Sequence, residues 1–312
     1  MEKVILLRPY FSHTIWGGKR LREEFGYDEP GDDIGECWGI SAHPSGESVA
    51  ASGEYNGTLL SVLWDEHREL FGGVEGDRFP LLVKIIDACK DLSIQVHPDD
   101  AYASEHENGS FGKKECWYVL DCPEDGELVA GHNAGSRDEL IRMIDEGKWD
   151  DLIRRVKIKP GDAIQIDPGT VHAITAGVCV LETQQSSDIT YRLYDYGRLQ
   201  NGKPRPLHLS QSKDVISVPA PDAEDMIVRG GESISEGITK LIVCDKYTVS
   251  RVKVNGKLSF ETDADFINAS VIKGEGRIFD TDVRKGSHAI ITAEGAKNVE
   301  LSGDMELIIS RV

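Results

Sequence analysis

No stretch of the sequence approaches the run of about 20 apolar residues that a membrane-crossing helix requires. Six cysteines (Cys37, Cys89, Cys116, Cys122, Cys179 and Cys244) form no CxxC pair and keep no regular spacing. A disulfide framework is therefore not indicated, and most of these thiols are expected to be buried. Positive charge is also scarce: 35 lysines and arginines face 54 acidic residues, a formal charge of −19. That balance argues against a nucleic-acid or anionic-membrane surface, because a phosphate backbone would be repelled. A small phosphorylated ligand stays open, since a few cations in a pocket outweigh a diffuse distant field. The start, MEKVILLRPYF, is interrupted by Arg8 and lacks a small-residue cleavage site, so it reads as a first strand and the protein is expected in the cytoplasm.

What remains is an ordinary globular composition, with 39% hydrophobic and 29% charged residues in a chain of 312. Glycine and proline are scattered, which predicts one compact body with two lobes. Runs of strand-like residues punctuated by Gly, Pro, Asn or Asp fall at 4–7, 37–41, 81–87, 92–96, 116–120, 128–130, 163–166 and 178–184. Helical patterns are fewer: 19–25, 59–70, 98–108 and 136–145, the last opening with SRDE, which has the form of a capping box. Beyond Pro204 the chain becomes proline-punctuated, and from Thr239 short alternating strands resume. The expected division is 1–230 and 231–312. The tail segments ASVIKGEGRIF and VRKGSHAIITAE repeat a rhythm of strand, Gly turn and strand, so both halves are expected to be similar β-barrels.

The segment LSIQVHPDD carries the chemistry. Gln95 and His97 are two residues apart, and on a strand they share one face while Ile94 and Val96 pack behind it. Downstream, Glu115 opens a second apolar run, and His172 follows a turn in GDAIQIDPGTVHAI. Imidazole, carboxylate and amide oxygen together suit a zinc-like divalent ion with an open coordination position. His288 sits near a comparable position in the tail but has no HxH or QxH before it, so a second metal site is not expected there.

The ordered blocks RPYFSHTIWGGKRL, GECWGISAHPSGES, FPLLVKIIDACKDLSIQVHPDD, KKECWYVL, PGTVHAI and SSDITYRLYDYGR resemble type I mannose-6-phosphate isomerases, in their shorter form, within the cupin superfamily. The resemblance covers most of the first 210 residues. It implies a mainly β fold of two cupin-like barrels (jelly rolls) with a few helices, the second lacking a metal site. It also implies that Gln95, His97, Glu115 and His172 hold one zinc ion per chain. It is the resemblance that selects Glu115 among the many carboxylates.

The implied reaction interconverts mannose 6-phosphate and fructose 6-phosphate through an enediol, so the partner is a small sugar phosphate, taken by a monomer or weak homodimer. Arg192 corresponds to the family's active-site arginine, suited to a phosphate or an enediolate oxygen. Asp188, four residues earlier, matches an acidic position assigned to proton transfer or ring opening. Lys113 falls where the family carries a lysine two residues before its metal glutamate. Trp16 belongs to a block that closes the cavity. Longer members have His and Pro beside that lysine where this chain reads GKKEC. Arg198, Lys203 and Arg205 read as solvated loop cations near Arg192. The competing classes are a non-haem iron cupin oxygenase and a non-catalytic sugar-binding cupin.

Overall fold

The computed structural model describes residues 2–312. Three large antiparallel sheets are stacked in layers. The middle sheet has seven strands in the order Ile227–Arg229, Asp162–Ile166, Glu115–Asp121, Cys179–Gln185, Leu81–Asp87, Ile34–Ile40 and Tyr10–Gly18. On one side lies a five-stranded sheet, ordered Ile153–Lys157, Glu127–His132, His172–Ile174, Ile94–Val96 and Tyr191–Tyr194. On the other lies a nine-stranded sheet dominated by the C-terminal residues.

Being covered on both faces explains why the middle strands lack alternation: every residue of LLVKIID and of CVLETQQ is buried. Alternate residues nevertheless serve different cores. Val83, Ile85, Cys116, Tyr118 and Leu181 pack with Val249, Ile272, Ile290 and Ile308 of the nine-stranded sheet. Ile86, Trp117, Val119, Ile164 and Val180 pack with Leu128, Ala130 and Ile174 of the five-stranded sheet. Charged side chains on that second face therefore point into the space between the middle and five-stranded sheets.

Two expectations are corrected. The sheets are open, not closed barrels: the first lobe is joined by side-chain packing between two sheets with free edges, so its strands need no continuous ring of hydrogen bonds. The tail does not consist of short strands either. Thr248–Phe260 and Val299–Arg311 are 13 residues long, and Ile267–Ile278 is 12. KGEG is not a turn, because Gly276 lies where strands approach closely: a Cβ there would come 2.1 Å from the Ser302 carbonyl oxygen. Glycine in this strand marks close packing of backbones.

The nine-stranded sheet draws on both ends of the chain. Val4–Arg8 pairs with His288–Ile291 on one side and Val49–Ala50 on the other. A cut at 230/231 therefore separates this first strand from its sheet.

Four helices fall within the expected segments, Arg20–Phe25, Leu60–Glu66, Asp100–His106 and Arg137–Asp145, the last two capped by Asp99 and Ser136, whereas Leu209–Val215 was not expected. Ser136 Oγ accepts from the Glu139 amide (3.2 Å), and Glu139 returns a carboxylate oxygen to the Gly135 amide (2.9 Å), one residue before the usual box partner. No helix among the described residues is long and apolar enough to cross a membrane.

Candidate metal centre and active-site cavity

The facing sheets bring the four candidate ligands together, three of them (His97, Glu115 and His172) in one tight cluster. Glu115 starts a strand of the middle sheet, while Gln95 and His172 are directly paired across two strands of the five-stranded sheet, with His97 just beyond Val96. His97 Nε2 and His172 Nε2 are 3.1 Å apart, and they lie 3.4 Å and 3.3 Å from the two carboxylate oxygens of Glu115. A tetrahedral shell with metal bonds of about 2.0–2.1 Å separates its ligand atoms by about 3.3 Å. The cluster has that spacing, and all three residues are buried.

Gln95 completes the set, its amide nitrogen 3.3 Å from His172 Nε2. A half-turn of the amide brings its oxygen to the same place. The carbonyl of Thr170 accepts from His172 Nδ1 at 2.8 Å, which leaves Nε2 free to ligate. Glu115 Oε1 is buried without a hydrogen-bond partner among the described residues, as an oxygen reserved for a cation would be. The residues present therefore fit a zinc-like ion.

The electrostatics suit ligation. Burial and the Lys113 ammonium push the His97 pKa down to about 3, and burial lowers that of His172. Both imidazoles are neutral at pH 7, the form that binds metal. Burial alone would raise the pKa of Glu115, but Lys113 and the two imidazoles hold it well below the carboxylate range. Lys113 Nζ lies 2.5 Å from Glu115 Oε2 and 3.0 Å from His97 Nε2.

Beside the cluster is a cavity of about 180 Å³ reached by Gln95, Lys113, Trp16 and Arg192. Its wall includes a row across the middle sheet in which Lys84, Glu182 and Trp117 are successive cross-strand partners. Lys84 Nζ is 3.2 Å from Glu182 and 3.7 Å from Glu36, and Glu182 accepts from the Trp117 indole at 2.7 Å. Burial and the nearby Glu115 raise the Glu182 pKa. Burial opposes the charge on Lys84, yet Glu182, Glu36 and Glu115 raise its pKa, so it stays an ammonium. A buried ion pair is weak evidence for stability, and its place on a cavity wall points to chemistry.

The sequence reading did not single out Lys84, Glu182 or Glu36. The available signal was a charged residue closing an apolar run in each of two strands, Lys84 in LLVKIID and Glu182 in CVLETQQ.

Trp16, Arg192 and Lys113 all line the cavity. Arg192 is anchored by Ser93 Oγ (3.3 Å) and the Pro206 carbonyl (2.9 Å). Asp188 is placed elsewhere. It accepts from Ser45 Oγ (2.6 Å), faces His43 and lines a neighbouring cleft. The expected shared face with Arg192 fails because the strand begins only at Tyr191 and residues 188–190 are loop.

Arg205 also departs from expectation. It lines the cavity and forms a fork with Asp195 at 2.8 and 2.6 Å. Arg198 pairs with the same carboxylate, whereas Lys203 is exposed.

Facing antiparallel sheets with an imidazole and carboxylate cluster between them, open to a polar cavity, define a cupin. Residues 4–128 match the model of the phosphomannose isomerase type I catalytic domain, and residues 237–312 match that of the mannose-6-phosphate isomerase cupin domain. The chain belongs to the type I phosphomannose isomerase family.

A mannose-6-phosphate isomerase of Bacillus subtilis (strain 168) is 47% identical over 314 residues, covering 99% of this chain and 98% of the relative. Another, from Streptococcus mutans, is 43% identical over 318 residues, covering 99% and 98%. The crystal structure of the Bacillus subtilis mannose 6-phosphate isomerase matches with a TM-score of 0.93 at 45% identity, covering 100% of both chains. A phosphomannose isomerase mutant from Salmonella typhimurium shares the fold, with a TM-score of 0.80 at 17% identity over 99% of each chain.

Proposed function

We propose that this chain interconverts D-mannose 6-phosphate and D-fructose 6-phosphate through an enediol, with one zinc ion held by Gln95, His97, Glu115 and His172. The observation that carries this reading is the convergence of a tetrahedrally spaced His97, Glu115 and His172 on a cavity that also presents Lys84, Glu182 and Arg192. The full-length relatives bear the name of this reaction.

Bound zinc supplies Lewis-acid polarisation of the sugar oxygens. Glu182 takes the proton from C2 of the aldose and delivers it to C1, while the hydroxyl proton passes from O2 to O1. Its raised pKa makes the ionised carboxylate a stronger base. The Lys84 ammonium donates to the oxygen on which charge develops, and Lys113 balances Glu115 beside it. Arg192, with Arg205 next to it, holds the phosphate. Trp16 and Trp117 wall the cavity and exclude water. Asp188 lies in the neighbouring cleft, so Glu182 takes the proton-carrying role first assigned to it.

Residues 1–230 hold the metal-binding lobe in this reading. Residues 231–312 brace it with a degenerate cupin-like sheet that has no metal of its own. The enzyme works in the cytoplasm as a monomer or weak homodimer.

The test is a coupled assay on mannose 6-phosphate before chelation, after chelation, and after zinc is restored, with His97→Ala alongside. Rate lost to the chelator and regained with zinc is expected. An untreated protein that leaves mannose 6-phosphate unchanged ends the substrate assignment. A chelated protein at full rate ends the metal assignment. Oxygen uptake dependent on ferrous iron would move the cluster to the oxygenase class.

A further inference from the structure

On the opposite face of the middle sheet from the cavity, a cleft of about 470 Å³ separates that sheet from the nine-stranded one. Its floor is Tyr118, Leu120 and Cys179, on the same strands that carry Glu115 and Glu182 to the other face. Its walls come from both lobes. Arg20 stands on the first side, and Arg251, Lys273 and Lys285 on the second.

Four cations in one cleft run against a chain with 35 cations and 54 acids. The three carboxylates of the cleft are already engaged. Asp121 faces Arg20 at 3.2 Å, Glu24 faces Lys285 at 3.7 Å, and Glu306 faces Lys253 at 3.7 Å. Arg251, half-buried, and Lys273, exposed, have no ion-pair partner among the described residues. The lining nets one positive charge, four cations against three carboxylates, and its two unpaired cations stand on the strands that flank Val299–Arg311 in the nine-stranded sheet.

We propose that this interlobe cleft binds a small phosphorylated anion, separately from the isomerase cavity. A phosphate monoester carries about −1.5 to −2 charges at pH 7, which the two unpaired side chains, Arg251 and Lys273, would meet. The planar guanidinium of Arg251 suits two phosphate oxygens, with Lys273 as a point charge at the rim. The cleft volume leaves room for an organic group between Leu120 of the floor and Ile272 of the nine-stranded sheet. The assignment does not depend on the reaction proposed for the cavity, and its readout is binding.

The test is a ³¹P NMR titration of inorganic phosphate at constant ionic strength, on the wild-type protein and on Arg192→Ala, Arg251→Gln and Lys273→Gln. Two classes of phosphate site are expected in the wild type, one lost with Arg192→Ala. Arg251→Gln and Lys273→Gln should each weaken the other by about tenfold, the loss of one charge-assisted contact. Their melting temperatures without phosphate and KM for mannose 6-phosphate should stay at wild-type values. Lys273 is exposed, so its substitution reads the site even if Arg251→Gln perturbs the sheet. Unchanged titration in both glutamine variants, or loss of all phosphate binding in Arg192→Ala, overturns the proposal.

Discussion

His97 and His172 in one lobe, and His288 in the other, are buried histidines at or beside sheet strands, yet only the first two converge with a carboxylate. His288 has both ring nitrogens occupied: Nδ1 faces Ser270 Oγ at 2.8 Å and Nε2 faces the Tyr27 hydroxyl at 2.9 Å. Burial alone lowers its pKa, to about 4. Gly39 presses against its ring so closely that a Cβ there would lie 2.2 Å from Nδ1. In the first lobe His172 spends one nitrogen on a backbone carbonyl and keeps the other for the cluster, beside a cavity. Burial makes a histidine neutral in either place. A free nitrogen, a carboxylate at ligand spacing and an adjoining cavity make it a metal site.

The contrast can be broken at several points. The largest effect is expected from Glu115→Gln, which removes the charge of the cluster: isomerase activity should fall by at least about 10³-fold, with zinc content well below one per chain. Glu182→Gln should lower kcat by about 10²- to 10⁴-fold while zinc content stays at the wild-type level, separating proton transfer from metal binding.

His288→Gln should leave kcat unchanged and alter only the pH dependence of stability. With an unfolded value near 6.5 and a folded value of about 4, the unfolded state binds the proton first. The contribution of His288 is therefore intact above about pH 6.5 and lost toward pH 4, amounting to about 3 kcal/mol. Chemical denaturation across that window should give a flatter slope in the variant. The smallest effect is expected from Asp188→Asn, with kcat within about twofold of wild type. A loss of a hundredfold would return Asp188 to the proton-transfer role.

Part of the metal cluster was legible from strand geometry, which puts Gln95 and His97 on one face of LSIQVHPDD and lets the PGTVH turn bring His172 beside Gln95, whereas only the resemblance to the family selected Glu115. Lys84 and Glu182 were not legible, because 98 residues separate them and only the register that pairs them makes one charge the partner of the other. Asp188 was misplaced because strand spacing was extended into a loop. Closed barrels were expected from the repeated strand rhythm and the family resemblance, and short tail strands because glycine usually interrupts a strand, whereas at Gly276 it lets two backbones touch. Arg205 looked solvated because nothing in RPLH reveals that Asp195 folds back to hold it.

The pairing of Val4–Arg8 with His288–Ile291 sets a schedule for the molecule's birth. The strand is translated long before its neighbour, and the interval is about 15 to 60 s at synthesis rates of about 5–20 residues per second. Through that time Val4, Ile5 and Leu7 present an unpaired apolar edge to everything else in solution. The nascent chain should therefore be most vulnerable to aggregation late in synthesis, with its catalytic lobe already made and its first strand still waiting.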